Sequence, residues 1–150
     1  MGALRSLLVD VYPPSLRAAG LTAALSDAAA TLRARGTRVS VDVDQSLDLD
    51  HDVQTLIYGV AQECLRNAER HANATAVAVE VGQRDGTPYL AVSDDGVGFD
   101  VAEVLTDPAE GHFGLRVMRD LAAHGGGQLS VSSRPGAGTR WKLEVAPRDR

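Results

Sequence analysis

Cysteine is almost absent: of 150 residues only Cys64 is one. That excludes an internal disulfide and a cysteine-built zinc site, and it fits a reducing compartment. Set at helical spacing among Leu and Val, Cys64 reads as a buried helix residue. No run approaches the ~20 apolar residues of a membrane-spanning helix, and the opening Met1-Gly2-Ala3-Leu4-Arg5-Ser6 has no signal-peptide pattern. The expected location is cytoplasmic, whether or not a longer parent chain is anchored in a membrane. An excess of positive charge is also missing. Fifteen Lys and Arg against 20 Asp and Glu give a formal net charge of -5, so no general grip on nucleic acid is available and any bound phosphate must be held by local geometry. The chain lacks a Gly-x-x-x-x-Gly-Lys-Ser/Thr loop and a Gly-x-Gly-x-x-Gly between strand and helix, which excludes the common ATPase and dinucleotide folds. The spaced ligands of an EF-hand are missing too.

What is present is periodicity enough for one core. Leu4, Leu7, Leu8 and Val11 recur at helical spacing until Tyr12-Pro13-Pro14, reading as the tail of a helix that begins elsewhere. A second helix runs through Leu21, Ala24, Leu25, Ala28 and Leu32 to a left-handed stop at Gly36. Arg38 to Asp44 alternates as a half-buried strand. The longest helix is expected from Asp50, whose carboxylate caps it, to Ala72-Asn73, with Val53, Leu56, Ile57, Val60, Cys64, Leu65 and Ala68 inward. Strands at Ala76 to Gln83 and Tyr89 to Asp94 flank an Asp85-Gly86 hairpin turn. A helix from Leu115 to His124, Gly125-Gly126-Gly127, and strands Gln128 to Ser133 and Thr139 to Val145 complete the pass. This order predicts an α+β fold, a two-layer sandwich with a mixed, mostly antiparallel sheet and helices on one face.

Four segments carry candidate chemistry. Glu63, Asn67 and Arg70 lie at spacings of four and three, hence on one helical face. They offer a carboxylate, an amide oxygen suited to a partial Mg²⁺ shell, and a cation for phosphate. Asp94-Asp95-Gly96-Val97-Gly98-Phe99 follows a strand, with glycines that let a flat ligand approach and a carboxylate suited to an exocyclic amine. Gly111-His112-Phe113-Gly114-Leu115 precedes a helix, where free amides and the dipole favour phosphate oxygens. Pro135-Gly136-Ala137-Gly138-Thr139 is a glycine turn leading into a strand, which a hairpin alone would explain.

In order and spacing these segments resemble the N, G1, G2 and G3 boxes of the GHKL ATPases, which include gyrase, Hsp90, histidine kinases and MutL. In detail they look most like histidine kinases of the NarL and DesK group: Gln62-Glu63 through Asn67 to His71-Ala72, and Gly111-His112-Phe113-Gly114-Leu115-Arg116-Val117-Met118-Arg119. The resemblance implies ATP and Mg²⁺ as cofactors. It makes Asn67 the metal ligand, Glu63 its support through water or a polariser of the reacting group, and Arg70 the basic position that meets phosphate. Asp94 would read the adenine amine, Gly96 and Gly98 shape the adenine pocket, and Gly111, Gly114 and Leu115 form the phosphate end of a mobile lid. Gly138 and Thr139 would close the base pocket, Thr139 through water. Where many relatives carry lysine, Arg70 keeps the charge but presents a planar fork.

The resemblance further implies that residues 1–20 are the end of a dimerisation helix and its junction, that 21–147 are the ATP-binding catalytic domain, and that 148–150 are a tail. The phosphate acceptor would be a histidine on an upstream dimerisation domain of a homodimeric parent, and the next recipient a response regulator. His51-Asp52 is the one His-acid pair here, and its place at the start of the domain's own helix makes it a poor acceptor. An anti-sigma-factor-type serine kinase of the same superfamily, and a nucleotide-switched binding module that transfers no phosphate, are the alternatives.

Overall fold

The computed structural model describes residues 14–101 and 113–146, with side chains for 20–70, 73–101 and 118–146. The expected helix tail at Leu4 to Val11, the residues Gly111 and His112, and the 148–150 tail lie outside the described residues.

Helix α1 spans Pro14–Ala28 and is broken at Gly20, whose φ of 84° and ψ of 178° are not helical. Pro14 therefore opens a helix, as a residue with no amide to satisfy readily does, rather than only ending the segment before it. The single helix expected from Leu21 to Gly36 is interrupted at the fully buried Ala29, and α2 occupies Ala30–Ala34. Arg33 spans that break, donating to Ser26 Oγ at 2.6 Å and to the Val39 carbonyl at 2.8 Å. The stop at Gly36 is as expected: φ is 94°, Gly36 N donates to Arg33 O and Thr37 N to Leu32 O, the paired bonds of a left-handed helix end.

Strand β1 (Arg38–Val43) leads to α3 (His51–Asn67). Asp50 stands at the capping position, but its carboxylate makes no capping hydrogen bond. Gln54 ties the entry instead, its side-chain amide donating to Leu49 O at 2.9 Å. The expected inner stripe is buried from Leu56 to Ala68, and Val53 is partly buried. Tyr58 and Ala61 are buried as well, because α3 is flanked by α1 and by α4 (Phe113–His124) and is covered on more than its sheet side.

The sheet has five strands in the order β1-β2-β3-β5-β4, with β2 at Ala76–Arg84, β3 at Thr87–Asp94, β4 at Gly127–Ser133 and β5 at Thr139–Val145. Only β1 and β2 run parallel; the other pairs are antiparallel. The β2–β3 turn has positive φ at both Asp85 and Gly86, the geometry that matches the strand twist. Val77, Val79, Val81, Leu90, Val92, Trp141, Leu143 and Val145 alternate onto one face and are buried there beneath the helices. Each such side chain contributes about 1.5–3 kcal/mol relative to exposure. On the opposite face Tyr89 hydrogen-bonds the Glu80 carboxylate. The α+β sandwich with helices on one face is thus the observed architecture.

Candidate functional site

The end of β3 and the start of β5 meet at one corner of the sheet, where Asp94 pairs with Thr139. By strand alternation both side chains lie on the helix-covered face, continuing the rows Leu90-Val92-Asp94 and Thr139-Trp141-Leu143. Gly138 presses on this junction: a Cβ there would stand 2.2 Å from the Asp94 carbonyl oxygen, and its φ is +75°. Gly98, at φ +66°, lies as close to the turn before β5, where a Cβ would be 2.1 Å from the Arg134 carbonyl oxygen and 2.9 Å from that of Gly138. No side chain fits between backbones so spaced. The two glycine segments, some forty residues apart along the chain, are further joined by Gly136 N donating to Val97 O at 2.6 Å.

Ser133 links the same segments. Its hydroxyl accepts from Phe99 N at 2.9 Å, donates to Gly138 O at 2.9 Å and lies 2.9 Å from Thr139 Oγ1. The Phe99 ring rests against Trp141 at 6.1 Å between centroids. Ser133 was not singled out by the sequence. The available signal was its place at the last strand residue before Arg134-Pro135-Gly136, where a hydroxyl is well set to bridge a turn.

The adjacent aspartates differ. Asp95 receives Thr75 N at 2.8 Å, Ala76 N at 3.0 Å and the Thr75 hydroxyl, which hold its carboxyl below the usual range. It fastens the start of β2. Asp94 is half-buried, and burial pushes its carboxyl above the usual range despite hydrogen bonds from the Gly96 and Thr139 amides. A carboxylate kept where charge is costly, at a strand end beside glycines, is a candidate ligand contact.

Helix α3 packs against β3 and β5 on the same face of the sheet. The buried Cys64 thiol is pushed well up by desolvation, and then by the negative charges of Glu63 and Asp94. Cys64 is inert packing, as expected, and its Sγ lies 3.6 Å from Met118 Sδ on α4. Glu63 is paired with Arg66 at 2.7 Å, Asn67 is half-buried and Arg70 exposed. From Ala68 to Ala72 the helix unwinds into a π turn that ends at Asn73 with φ of 48°. Arg70 therefore does not sit at the angle that regular α spacing from Asn67 assumes, since a π turn holds more residues per turn. Gly114 and Leu115 lie in the first turn of α4, where free amides are expected.

These residues fit magnesium ATP. Among the described residues no three His, Cys, Asp or Glu cluster as a metal cage, and Mg²⁺ in this setting takes one or two protein oxygens and completes its shell with phosphate and water. The Asn67 amide oxygen suits that role. The half-buried Asp94 suits an amine donor.

Both the sequence and the fold have known relatives. A family model described as histidine kinase-, DNA gyrase B-, and HSP90-like ATPase matches residues 52–149. The sensor histidine kinase NarS of Mycobacterium tuberculosis is 32% identical over 133 residues, 88% of this chain and 31% of that protein. The sensor histidine kinase MctS of Rhizobium johnstonii is 37% identical over 132 residues, 87% of this chain and 28% of that protein. The sensor protein VraS of Staphylococcus aureus is 30% identical over 142 residues, 95% and 40% respectively; the chain thus spans well under half the length of these relatives. Among solved structures, the histidine kinase domain of the Erythrobacter litoralis EL346 blue-light activated histidine kinase superposes with a TM-score of 0.67 at 26% identity, covering 83% of this chain and 60% of that one. The mycobacterial sensor histidine kinase MprB shares the fold, with a TM-score of 0.61 at 19% identity over 83% of this chain and 93% of that one. The chain belongs to the histidine kinase-, DNA gyrase B- and HSP90-like ATPase family, and within it matches the ATP-binding catalytic domain of sensor histidine kinases.

Proposed function

We propose that residues 21–147 bind magnesium ATP and direct its γ-phosphoryl group to a histidine on a dimerisation domain, from which it passes to a response regulator. The observation that carries this reading is the convergence of Asp94, Gly98, Gly138 and Thr139 at one corner of the sheet, on the strands β3 and β5 against which the Asn67-bearing helix packs. The motif details favour the NarL and DesK group, with a homodimeric parent and residues 1–20 as its junction.

When bound, magnesium ATP supplies the transferable phosphoryl group and the charge that must be neutralised during transfer. The protein's part is positioning and electrostatics. Asp94 accepts from the base amine, and Gly96 and Gly98 shape the pocket, Gly98 by letting the turn before β5 close in on it. Thr139 contacts the base through water, beside Gly138. Asn67 offers its amide oxygen to Mg²⁺, Glu63 acts through water or on the reacting group, and Arg70 meets phosphate charge. Gly111, Gly114 and Leu115 bring helix amides to the phosphates.

Calorimetry of this chain with ATP, with and without Mg²⁺, tests the binding half. Joining it to the dimerisation segment of its parent and supplying labelled ATP tests the transfer half. Label on a histidine of that segment is expected, with negligible label on His51 of this chain alone. ATP binding without label on any histidine would favour the nucleotide-switched module instead.

A further inference from the structure

We infer that Ser133 is a positioning residue that sets the hydrogen-bond polarity of the base pocket, making Thr139 an acceptor toward the ligand and so favouring adenine over 6-oxopurines. The inference rests on the nucleotide-site reading above and concerns how that site selects its base.

It follows from counting protons. A serine hydroxyl has one hydrogen to donate and two lone pairs. Ser133 Oγ accepts the Phe99 amide and faces two further oxygens, Gly138 O and Thr139 Oγ1, each at 2.9 Å. Gly138 is buried, and its carbonyl can only accept. Leaving a buried carbonyl without its donor costs more than exchanging one neutral hydrogen bond for another, so the single Ser133 hydrogen goes to Gly138. The short contact with Thr139 then requires Thr139 to be the donor. Thr139 is itself 7% exposed, and with its hydrogen spent on Ser133 its hydroxyl has only lone pairs left to offer a ligand.

Asp94, across the β3–β5 pair, also shows lone pairs, its carboxylate already receiving the Gly96 and Thr139 amides. The pocket therefore presents two acceptors. A water bridging Thr139 to the base must donate to Thr139, and its second hydrogen then points at the base. Adenine answers this pattern with a donor, its 6-amino group, and an acceptor, N1. Hypoxanthine reverses both, with a 6-carbonyl oxygen and an N1 hydrogen.

The experiment compares affinities for Mg-ATP and Mg-inosine triphosphate in the whole chain and in variants, with thermal unfolding of each variant measured without nucleotide. The unaltered chain is expected to prefer ATP. Ser133→Ala frees the Thr139 hydroxyl to turn and donate, which should reduce that preference roughly two- to tenfold, the worth of one neutral hydrogen bond. Ser133→Thr, which keeps the hydroxyl, should restore it. Equal weakening of both nucleotides in Ser133→Ala, or an unchanged ratio, would overturn the inference and leave Ser133 as scaffold. Should Ser133→Ala not fold, Thr139→Val decides by sign: loss of an acceptor lowers the preference for ATP, whereas loss of a donor into the pocket would raise it and refute the assignment, with Thr139→Ser as the control that keeps the ratio. Failure of the unaltered chain to bind either nucleotide would instead remove the nucleotide-site reading, and this inference with it.

Discussion

At the β3–β5 corner Gly98 and Gly138 are held by backbone a little over 2 Å from where a Cβ would go, whereas Asn67 ends α3 and Arg70 lies in the π turn after it, beyond the helix whose stability rests on its buried stripe. In the first region fold and site use the same atoms. In the second they are separated by one helix radius, so chemistry there can change without disturbing the core. Damage to the corner should register first as lost stability, and damage to the helix face first as lost function.

The largest effect expected is that of Gly98→Ala. The new methyl group meets the Arg134 carbonyl oxygen, which is backbone and cannot swing aside, and the residue must hold a φ of +66°. Strain and overpacking together should cost about 3 kcal/mol or more in denaturant unfolding. Gly136→Ala is the control: its φ is +81° but nothing lies within 4 Å of the added carbon, so only the conformational cost of about 1–2 kcal/mol remains. Equal losses in the two variants would show that the backbone contact contributes nothing.

Asp94 is where the two kinds of region overlap, and it should separate stability from binding. Asp94→Asn is expected to weaken ATP binding by at least about 1.5–3 kcal/mol, the value of a hydrogen bond to a charged group, as read by calorimetry. Its carboxyl is raised above the usual value by burial. A raised folded-state value means the native protein holds more protons than the unfolded chain in the window from the ordinary carboxylate value up to the raised one. Stability from this group is therefore lost as pH rises through that window. The nucleotide-free Asp94→Asn protein should be as stable as the parent or more so at neutral pH, with the difference vanishing below the window. ATP affinity of the parent should fall as pH drops through the same window.

Asn67→Ala should leave unfolding within about 0.5 kcal/mol, since alanine suits a helix and no described core contact is removed. The same change should abolish the Mg²⁺-dependent gain in ATP affinity, roughly tenfold or more for one contact to a charged group. A substantial stability loss instead would place Asn67 in the scaffold rather than on the metal.

How far the sequence announced this arrangement depended on whether the controlling interaction was local. The sheet strands and the buried stripe of α3 follow from the two- and 3.6-residue periods, and the Asp85-Gly86 turn from its dipeptide. The order of the glycine segments was also legible, through a resemblance carried by residues such as Asp94 and Gly98. What escaped depended on partners distant in sequence. Nothing local distinguishes Asp94 from Asp95; the division comes from Thr75, nineteen positions before Asp94, taking the second carboxylate. Ser133 gains its place from Phe99 and Gly138. The break falls at the fully buried Ala29, which no local residue marks, and the π turn after Asn67 has no residue signature, since Ala68-Glu69-Arg70 would continue an ordinary α-helix.

The smallest effect expected is on the Glu63–Arg66 pair, and it sharpens the contrast most finely. The two are three residues apart on α3, 2.7 Å apart, with the Arg66 side chain half exposed at 50% and Glu63 at 21%. Water and salt screen such a pair, so a double-mutant cycle of Glu63→Gln and Arg66→Ala should give a stability coupling of about 0.3–0.5 kcal/mol that shrinks as salt is raised. Phosphoryl transfer with the dimerisation segment joined on should behave otherwise, because the proposed function gives Glu63, and not Arg66, a part in the reaction. Glu63→Gln should depress transfer strongly, while Arg66→Ala depresses it little. If Arg66→Ala proved as damaging to transfer as Glu63→Gln, the pair would be acting as one unit, and Arg66 would join the site on a face of α3 otherwise given over to surface.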